Sequence, residues 1–251
     1  MRRFFLLALA AVSACGSVPA PVSPDKAGGD LSVFAAASLT EAFKAAGTGF
    51  KAAHPGSNPT FNFAGTPTLL TQLLQGAGAD VFASADQPNM QKAVDAKLVA
   101  GAPRVFATNK LEIVVGAGNP KHISGLADLA RADVLYITEA PDVPAAKYAA
   151  QALAAAGVKP APRSLEADVK GVVSKVALGE ADAGIVYVTD VRAARGRVSG
   201  VAIPDAQNPR AGYLVAEVRA AHNPYAARAF IDYLLSAGGQ QALQGFGFTP
   251  P

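Results

Sequence analysis

Four segments of the chain combine small or hydroxyl residues with the signals that open a helix. Ser38 precedes one apolar helical stripe, Thr66 precedes Pro67, and residues 142–145 (DVPA) and 166–169 (EADV) precede two more. A helix start exposes unpaired peptide N–H groups and the positive end of the helix dipole. Several starts that converge on one point can hold an anion without lysine or arginine. The sequence therefore predicts an anion site built from hydroxyl and peptide groups.

The residue types support catalysis less well than they support anion binding. The chain contains no G-x-S-x-G or P-loop signature, and its histidines lie in predicted turns or loops without metal-ligand spacing. These histidines are His54, His122 and His222. Aspartates that flank predicted strands could form an acid–base pair, although turns and caps explain them more simply: Asp80, Asp86, Asp182 and Asp190. We therefore expect no enzyme activity, no cofactor and no direct metal-cation ligand.

Short apolar runs alternate with helical stripes along the chain, which favours an α/β fold with mostly parallel sheets. Strands are predicted at 31–35, 61–63, 80–84, 111–116, 133–138, 183–188, 198–203 and 213–218. Helices are predicted at 39–50, 69–74, 87–98, 125–131, 144–156, 168–178, 189–195 and 223–236. The length allows one large domain or two lobes, and periodicity alone does not decide between them.

The N-terminus has the layout of an export signal. A basic start at Arg2 and Arg3 is followed by a nine-residue apolar run, 4–12, which is too short to span a bilayer. The run leads to V-S-A-C, which resembles a lipobox and predicts lipidation of Cys15 after removal of a signal peptide, residues 1–14. Ordinary cleavage after Ala14 is the alternative. Residues 15–30, rich in Pro, Gly and Ser, are expected to form a flexible tether.

The charge balance does not favour nucleic acid as a partner. The whole chain has 22 basic and 19 acidic residues, and removal of Arg2 and Arg3 with the signal would leave 20 basic residues. The mature chain is therefore close to neutral, and no run of lysine and arginine supports nucleic-acid binding. Because Cys15 is the only cysteine, an internal disulfide is excluded.

Several longer motifs resemble the molybdate-binding proteins of ABC transporters. The opening run VFAAASLTEAF at 33–43 and the later run GIVYVTD at 184–190 are the most specific, and further segments follow in the family's order. These are DVFASAD at 80–86, VPAAKYA at 143–149, DVKGV at 168–172 and GFGF at 245–248. The resemblance covers essentially all of the predicted mature chain. It implies a two-lobed type II periplasmic-binding-protein fold, with mixed, mostly parallel sheets flanked by helices.

The resemblance also implies a domain layout and a set of site residues. Residues 31–110 and 217–251 would form lobe 1, and 111–216 would form lobe 2. The anion would be bound by side chains, by backbone N–H groups or by both, and the implied residues are Ser38, Thr66, Ala145, Val169 and Tyr187. The family commonly has Ser-Ser where this chain has Thr66-Pro67, so its anion preference could shift. Ala146 replaces a common glycine, which matters only if the backbone there needs a positive φ.

The implied ligand is molybdate or tungstate, delivered as a dianion to a membrane permease. A cavity lined only by donors satisfies a fully ionised tetrahedral anion, whereas the O–H of monohydrogen phosphate would lack an acceptor. Sulfate is smaller and must be rejected by cavity size. The alternatives are a binding protein for sulfate or another solute, an enzyme, and a structural lipoprotein. The expected protein is an exported monomer, in the periplasm or on the outer face of the cytoplasmic membrane, held there by its lipid.

Overall fold

The computed structural model describes residues 27–251. The predicted signal peptide, Cys15 and most of the predicted tether lie outside the described residues. The first strand begins at Gly29, and Ala27 is already buried. Residues 27–30, which the sequence predicts to lie in the tether, therefore belong to the folded domain.

Ten strands and eight helices make up the described part of the chain. The strands are β1 (Gly29–Ala36), β2 (Ser57–Ala64), β3 (Val81–Ser84), β4 (Val99–Asn109), β5 (Leu111–Gly116), β6 (Thr138–Glu139), β7 (Leu165–Glu166), β8 (Ala183–Tyr187), β9 (Val198–Ala202) and β10 (Ala211–Val218). The helices are α1 (Thr40–Ala53), α2 (Thr66–Leu74), α3 (Gln87–Asp95), α4 (Pro144–Ala155), α5 (Val169–Ala177), α6 (Val188–Ala193), α7 (Pro224–Leu235) and α8 (Ala237–Gly245). Three short 3-10 turns lie at Ala37–Leu39, Leu126–Ala130 and Asp205–Gln207.

The first lobe is built on a five-stranded sheet in the order β2-β1-β3-β10-β4. The pairs β1/β2 and β1/β3 are parallel, while β10 runs antiparallel to both β3 and β4. Helices α1, α7 and α8 cover one face of this sheet and helices α2 and α3 cover the other. Because both faces are covered, the central strands are almost wholly apolar, as Val81–Ser84 illustrates.

The second lobe is built around an antiparallel sheet in the order β8-β5-β9. The short parallel pair β6/β7 lies beyond β8, to which a parallel bridge between Tyr136 and Ala183 connects it. Helices α4 and α5 pack against β5 and β8 and supply the apolar core of this lobe. Strand pairing in the second lobe is therefore mixed but mainly antiparallel, and the prediction of a mostly parallel sheet was wrong for this lobe.

Two adjacent crossings connect the lobes, one at Lys110 between β4 and β5, the other between β9 and β10. Asn208 in the second crossing hydrogen-bonds both the N–H and the carbonyl of Leu111, at 2.9 and 2.8 Å. Because β10 begins at Ala211 within the five-stranded sheet, the return to the first lobe precedes residue 211. The sequence had placed this return after residue 216, so that boundary was wrong.

Most predicted elements are present, with bounds that differ by a few residues. Strand β4 and helix α8 were not predicted. The predicted strand 133–138 is reduced to the Tyr136 bridge and the two residues of β6, and the predicted helix 125–131 is the 3-10 turn Leu126–Ala130. Among residues 27–251, no helix is both long enough and apolar enough to cross a membrane.

Candidate anion-binding site

One small cavity lies between the two lobes, and the beginnings of four helical segments meet there. Its volume is about 10 Å³. The first lobe supplies Ala36, Ala37, Ser38, Gly65, Thr66 and Ala85, and the second lobe supplies Val143, Pro144, Ala145, Asp168, Val169 and Tyr187. The five residues predicted to bind the anion are all among these lining residues. Each of the five is at most 5% exposed, so the binding groups are largely shielded from bulk solvent.

In the first lobe, the loops that follow β1 and β2 present Ser38 and Thr66. Ser38 lies in the 3-10 turn Ala37–Leu39 that leads into α1, and its hydroxyl contacts the Tyr213 hydroxyl at 2.9 Å. Thr66 is the first residue of α2. Its position before Pro67 favours Thr66 as the N-cap, but the N-cap in the structure is Gly65. The Thr66 hydroxyl accepts a hydrogen bond from the N–H of Ala85 at 3.3 Å. Its own proton therefore remains available to a guest.

In the second lobe, two helices direct their first turns at the cavity. Helix α4 begins at Pro144, which has no N–H to satisfy, and the N–H of Ala145 follows one residue later. Helix α5 begins at Val169, and its N-cap is Asp168, whose carboxylate accepts from the N–H groups of Lys170 and Gly171. The cap leaves the N–H of Val169 for the cavity. Ala146 has no positive φ, so replacement of the common glycine introduces no backbone strain.

Tyr187 ends β8 and closes the second-lobe side of the cavity. Its side chain is fully buried, and among residues 27–251 no group hydrogen-bonds its hydroxyl. Burial raises the pKa of Tyr187 well above its usual value, so the hydroxyl keeps its proton at neutral pH. An unpaired buried hydroxyl costs free energy unless a guest accepts from it. Tyr187 is thus a protonated donor that faces the cavity without a partner in the described part of the chain.

No lysine or arginine lines the cavity among the described residues. The acidic groups around it have different partners. Asp168 caps α5, and Asp190 is buried beside Lys170, whose Nζ lies 3.3 Å from Asp190 Oδ1. Burial raises the pKa of Asp190 to about 6, and the Lys170 ammonium opposes this rise.

Glu139 is a second buried carboxyl, close enough to Tyr187 and Asp168 to interact with them electrostatically, and sequence reasoning missed it. It lies on β6, a few residues before α4, and is completely buried with Oε1 unpaired among the described residues. Burial, together with the nearby charges of Asp190 and Asp168, raises the pKa of Glu139 to about 8. A neutral Glu139 at pH 7 does not repel an anion in the cavity. The one signal that could have indicated a buried carboxyl is the position of Glu139 directly after the predicted strand 133–138.

Contacts between the lobes surround the cavity. A Cβ added at Gly65 would lie 2.5 Å from the carbonyl oxygen of Ala167, so the two backbones approach as closely as glycine allows. On either side, a lysine of the second lobe reaches a carboxylate of the first. Lys147 on α4 lies 3.1 Å from Asp86, and Lys170 on α5 lies 2.7 Å from Glu41 on α1. The described conformation is therefore closed.

The histidines and aspartates considered for catalysis do not form a second site. Within residues 27–251, no three His, Cys, Asp or Glu side chains are grouped so that they could hold a metal ion. Asp80 accepts hydrogen bonds from the N–H groups of Ser32 and Asn223, and Asp182 accepts from the N–H of Leu135. Asp86 caps α3. These aspartates therefore have the structural roles, in turns and caps, that their positions at strand ends predicted.

Comparison with known proteins identifies the class of protein. The sequence pattern of the family described as bacterial extracellular solute-binding protein matches residues 31–249. The chain therefore belongs to this family. The solved structure of the sulfate-binding protein SubI from Mycobacterium tuberculosis matches 88% of this chain and 86% of its own. The TM-score of the match is 0.81 and the sequence identity is 20%.

Individual relatives show which members of this family the chain resembles. The molybdate-binding protein ModA of Mycobacterium tuberculosis is 41% identical over 97% of this chain and 94% of its own length. ModA of Escherichia coli is 34% identical over 88% of this chain and 89% of its own. The periplasmic molybdate-binding protein of Azotobacter vinelandii has the same fold, with a TM-score of 0.73 and 19% identity over 88% of this chain and 99% of its own. The resemblance to molybdate-binding proteins and the predicted α/β binding-protein fold are confirmed.

Proposed function

We propose that this protein captures molybdate, and tungstate with it, between its two lobes and delivers the anion to an ABC-transporter permease. The observation that carries the proposal is the convergence of Ser38, Thr66, Ala145, Val169 and Tyr187 on one cavity whose described lining holds no cationic side chain. The 41% identity to a molybdate-binding protein over nearly the whole chain supports molybdate as the ligand.

The chemistry of the cavity suits a fully ionised tetrahedral dianion. Such an anion has only acceptor oxygens, and the hydroxyl and N–H groups of the five residues are donors. Charge-assisted hydrogen bonds each contribute about 1.5–3 kcal/mol, which offsets the desolvation of the anion without adding linearly to an affinity. The Tyr187 hydroxyl, which has no hydrogen-bond partner among residues 27–251, gains one when the anion binds.

Sulfate is the second candidate, because it has the same charge and the same acceptor-only oxygens. The structural match to a sulfate-binding protein shows the fold and does not distinguish the two anions. Thr66 stands where the family commonly has serine, and its methyl group reduces the cavity, which acts in favour of the smaller sulfate. Because the chain is 41% identical to a molybdate-binding protein over nearly its whole length, we nevertheless expect molybdate and tungstate to bind more tightly than sulfate.

The test is calorimetric titration of the purified protein with molybdate, tungstate, sulfate, phosphate and chromate. We expect tight, one-to-one binding of molybdate and tungstate, weak binding of sulfate, and no binding of phosphate in the same range. Tight sulfate binding with weak molybdate binding would assign the protein to sulfate. Absence of binding by all five anions would refute an oxyanion-binding function.

Binding without catalysis is part of the proposal. The family is one of solute-binding proteins, and the five residues proposed to bind the anion offer hydroxyl and N–H donors rather than an acid–base pair. We further propose that the protein acts as a monomer outside the cytoplasm, held on the membrane by a lipid on Cys15, in a periplasm or on an outer surface. Mass spectrometry of the mature N-terminus tests the lipid, and a Cys15→Ser variant should be released from the membrane.

A further inference from the structure

Tyr213 lies directly behind the cavity and contacts two of the proposed ligand-binding residues. It is on β10, is fully buried, and does not line the cavity. Its hydroxyl is 2.9 Å from the Ser38 hydroxyl, and its ring packs edge-on against the ring of Tyr187 with centroids 5.6 Å apart. Phe106 and Phe248 enclose the other sides of the Tyr213 ring. These ring contacts bury the Tyr213 side chain behind Ser38.

The direction of the Ser38–Tyr213 hydrogen bond decides what Ser38 offers to a guest. A hydroxyl has one proton and two lone pairs. If Ser38 donates to Tyr213, only the Ser38 lone pairs remain for the cavity, and they suit a guest with an O–H. If Tyr213 donates to Ser38, the Ser38 proton is free for an acceptor oxygen. Only the second arrangement serves a fully ionised anion.

The surroundings of Tyr213 favour donation by Tyr213. Burial raises the pKa of Tyr213 well above its usual value, so the phenol keeps its proton. Asn109 beside it has a fixed orientation, because its Oδ1 accepts from the N–H of Lys110 and its Nδ2 donates to the Thr189 hydroxyl, both at 2.9 Å. Interactions with the side chains of Ser38, Asn109 and Tyr187 all oppose the rise in the pKa of Tyr213, so the pKa does not give the direction of the hydrogen bond. Among residues 27–251, Ser38 Oγ is the one atom in hydrogen-bond geometry with the Tyr213 hydroxyl, and a buried phenol that did not donate to it would leave its proton unpaired.

We propose that Tyr213 is a positioning residue that fixes Ser38 as a donor to the bound anion and thereby excludes protonated oxyanions. This inference rests on the proposed oxyanion-binding function. When Tyr213 donates to Ser38, one lone pair of the Ser38 oxygen is occupied and the Ser38 proton is directed to the cavity, so a guest that retains an O–H meets a donor rather than an acceptor at Ser38. The direct contacts alone would not exclude such a guest, because a free serine hydroxyl can accept as well as donate.

The experiment compares the wild-type protein with Tyr213→Phe in titrations with molybdate and with inorganic phosphate at neutral pH, where phosphate carries at least one proton. Loss of one neutral hydrogen bond is typically a two- to tenfold effect. We expect Tyr213→Phe to bind molybdate about two- to tenfold more weakly. We expect the ratio of molybdate to phosphate affinity, measured by competition, to fall by at least the same factor.

Two further variants make the result specific. Phe248→Leu loosens the packing of the Tyr213 ring but keeps its hydroxyl, so the affinity ratio should stay at the wild-type value. In a Ser38→Ala background the hydroxyl of Tyr213 has no serine to orient, so Tyr213→Phe should no longer change the ratio. Thermal unfolding of each variant verifies that it is folded.

The inference is overturned if Tyr213→Phe weakens both anions by the same factor, leaves both unchanged, or fails to admit phosphate at millimolar concentration. It is also overturned if Phe248→Leu changes the ratio as much as Tyr213→Phe does. Failure of the wild-type protein to bind molybdate would instead refute the proposed function.

Discussion

At the scale of single residues, Tyr187 and Ser38 make different contributions to the stability of the ligand-free protein. The Tyr187 hydroxyl has no hydrogen-bond partner among residues 27–251, whereas the Ser38 hydroxyl bonds Tyr213. Removal of an unpaired buried hydroxyl is neutral or stabilising, while removal of a paired one costs about 1 kcal/mol. The two residues can therefore be separated by stability even though both are proposed to bind the anion.

We expect Tyr187→Phe and Ser38→Ala each to weaken molybdate binding by about 1.5–3 kcal/mol, the contribution of a charge-assisted hydrogen bond. Calorimetry measures the affinity, and denaturant unfolding of the ligand-free protein should show no loss of stability for Tyr187→Phe. Tyr225→Phe on the exposed surface of α7, outside the cavity lining, is the control for affinity and should leave molybdate binding unchanged. Wild-type affinity in both site variants would show that the site has been placed wrongly.

Glu139 gives the protein a specific dependence on pH. Burial, with the charges of Asp190 and Asp168, raises the pKa of Glu139 from 4.5 to about 8. Between pH 4.5 and 8 the native state binds more protons than the unfolded state. The contribution of Glu139 to the free energy of unfolding is therefore complete below pH 4.5 and is lost as the pH rises through about 8. Above that range the ionised carboxylate also repels an anion in the cavity.

Between pH 4.5 and 8, we expect the unfolding free energy of Glu139→Gln to fall less than that of the wild-type protein. At the alkaline end of this range the variant should be more stable than the wild type by about 2–5 kcal/mol. Molybdate affinity should also become less sensitive to pH. Denaturant unfolding at a series of pH values measures the first effect. Glu166→Gln is the control, because hydrogen bonds from Lys175 and Ser164 outweigh partial burial and lower the pKa of Glu166. Identical slopes for Glu139→Gln and wild type would contradict the assignment.

At the scale of elements, the N-terminus of α5 is held by a carboxylate that also lines the cavity. Asp168 Oδ1 accepts from the N–H of Lys170 at 2.8 Å and of Gly171 at 3.1 Å. The cap orders the helix start that presents Val169, yet its negative charge lies beside the proposed anion. Capping and repulsion can be separated because asparagine caps a helix as well as aspartate does.

We expect Asp168→Asn to preserve stability and to strengthen molybdate binding, because it keeps the cap and removes the charge. Asp168→Ala should instead lower the unfolding free energy by about 1 kcal/mol, as loss of an N-cap does. Thermal unfolding and calorimetry of the two variants measure these effects. Weaker binding by Asp168→Asn would mean that the carboxylate itself is needed in the site.

At the scale of the whole molecule, closure places a lysine–carboxylate pair on either side of the cavity. The pairs Lys147–Asp86 and Lys170–Glu41 join the lobes, and none of these four residues lines the proposed anion site. Asp86 is buried and also bonds Asn89, so it stays satisfied when Lys147 is removed. Lys170 also pairs with Asp190, which makes Glu41 the better residue to change on that side.

We expect Lys147→Met and Glu41→Gln each to speed molybdate dissociation by roughly two- to fivefold, the range for partly exposed ion pairs, and less so at high salt. Stopped-flow displacement of bound molybdate by tungstate measures the rate. Lys175→Met is the matched control, since Lys175 pairs with Glu166 within the second lobe, on the same helix as Lys170. If that variant dissociates as fast as the other two, closure does not depend on the pairs between the lobes.

Sequence periodicity predicted most helices and strands, and it failed where local composition conflicts with the final structure. Helix α8, AGGQQALQG, contains three glycines, and β4 contains Gly101 and Pro103, so propensity argued against both elements. Tertiary packing overrides these preferences: α8 packs on α1 and α7, and β4 pairs along β10. The β10 boundary was missed because nothing local indicates which sheet a strand will join.

The sequence by itself determined the family and all five of the proposed anion-binding residues, because helix caps, prolines and hydroxyls are local signals and the longer motifs are specific. Only the tertiary structure brought in Tyr213 and Glu139, which contact site residues or interact with them electrostatically through pairings between residues far apart in the chain. The closeness of Gly65 to Ala167 and the two ion pairs across the cavity likewise depend on closure of the lobes. Burial and long-range contact arise from packing, which no local pattern of residues encodes.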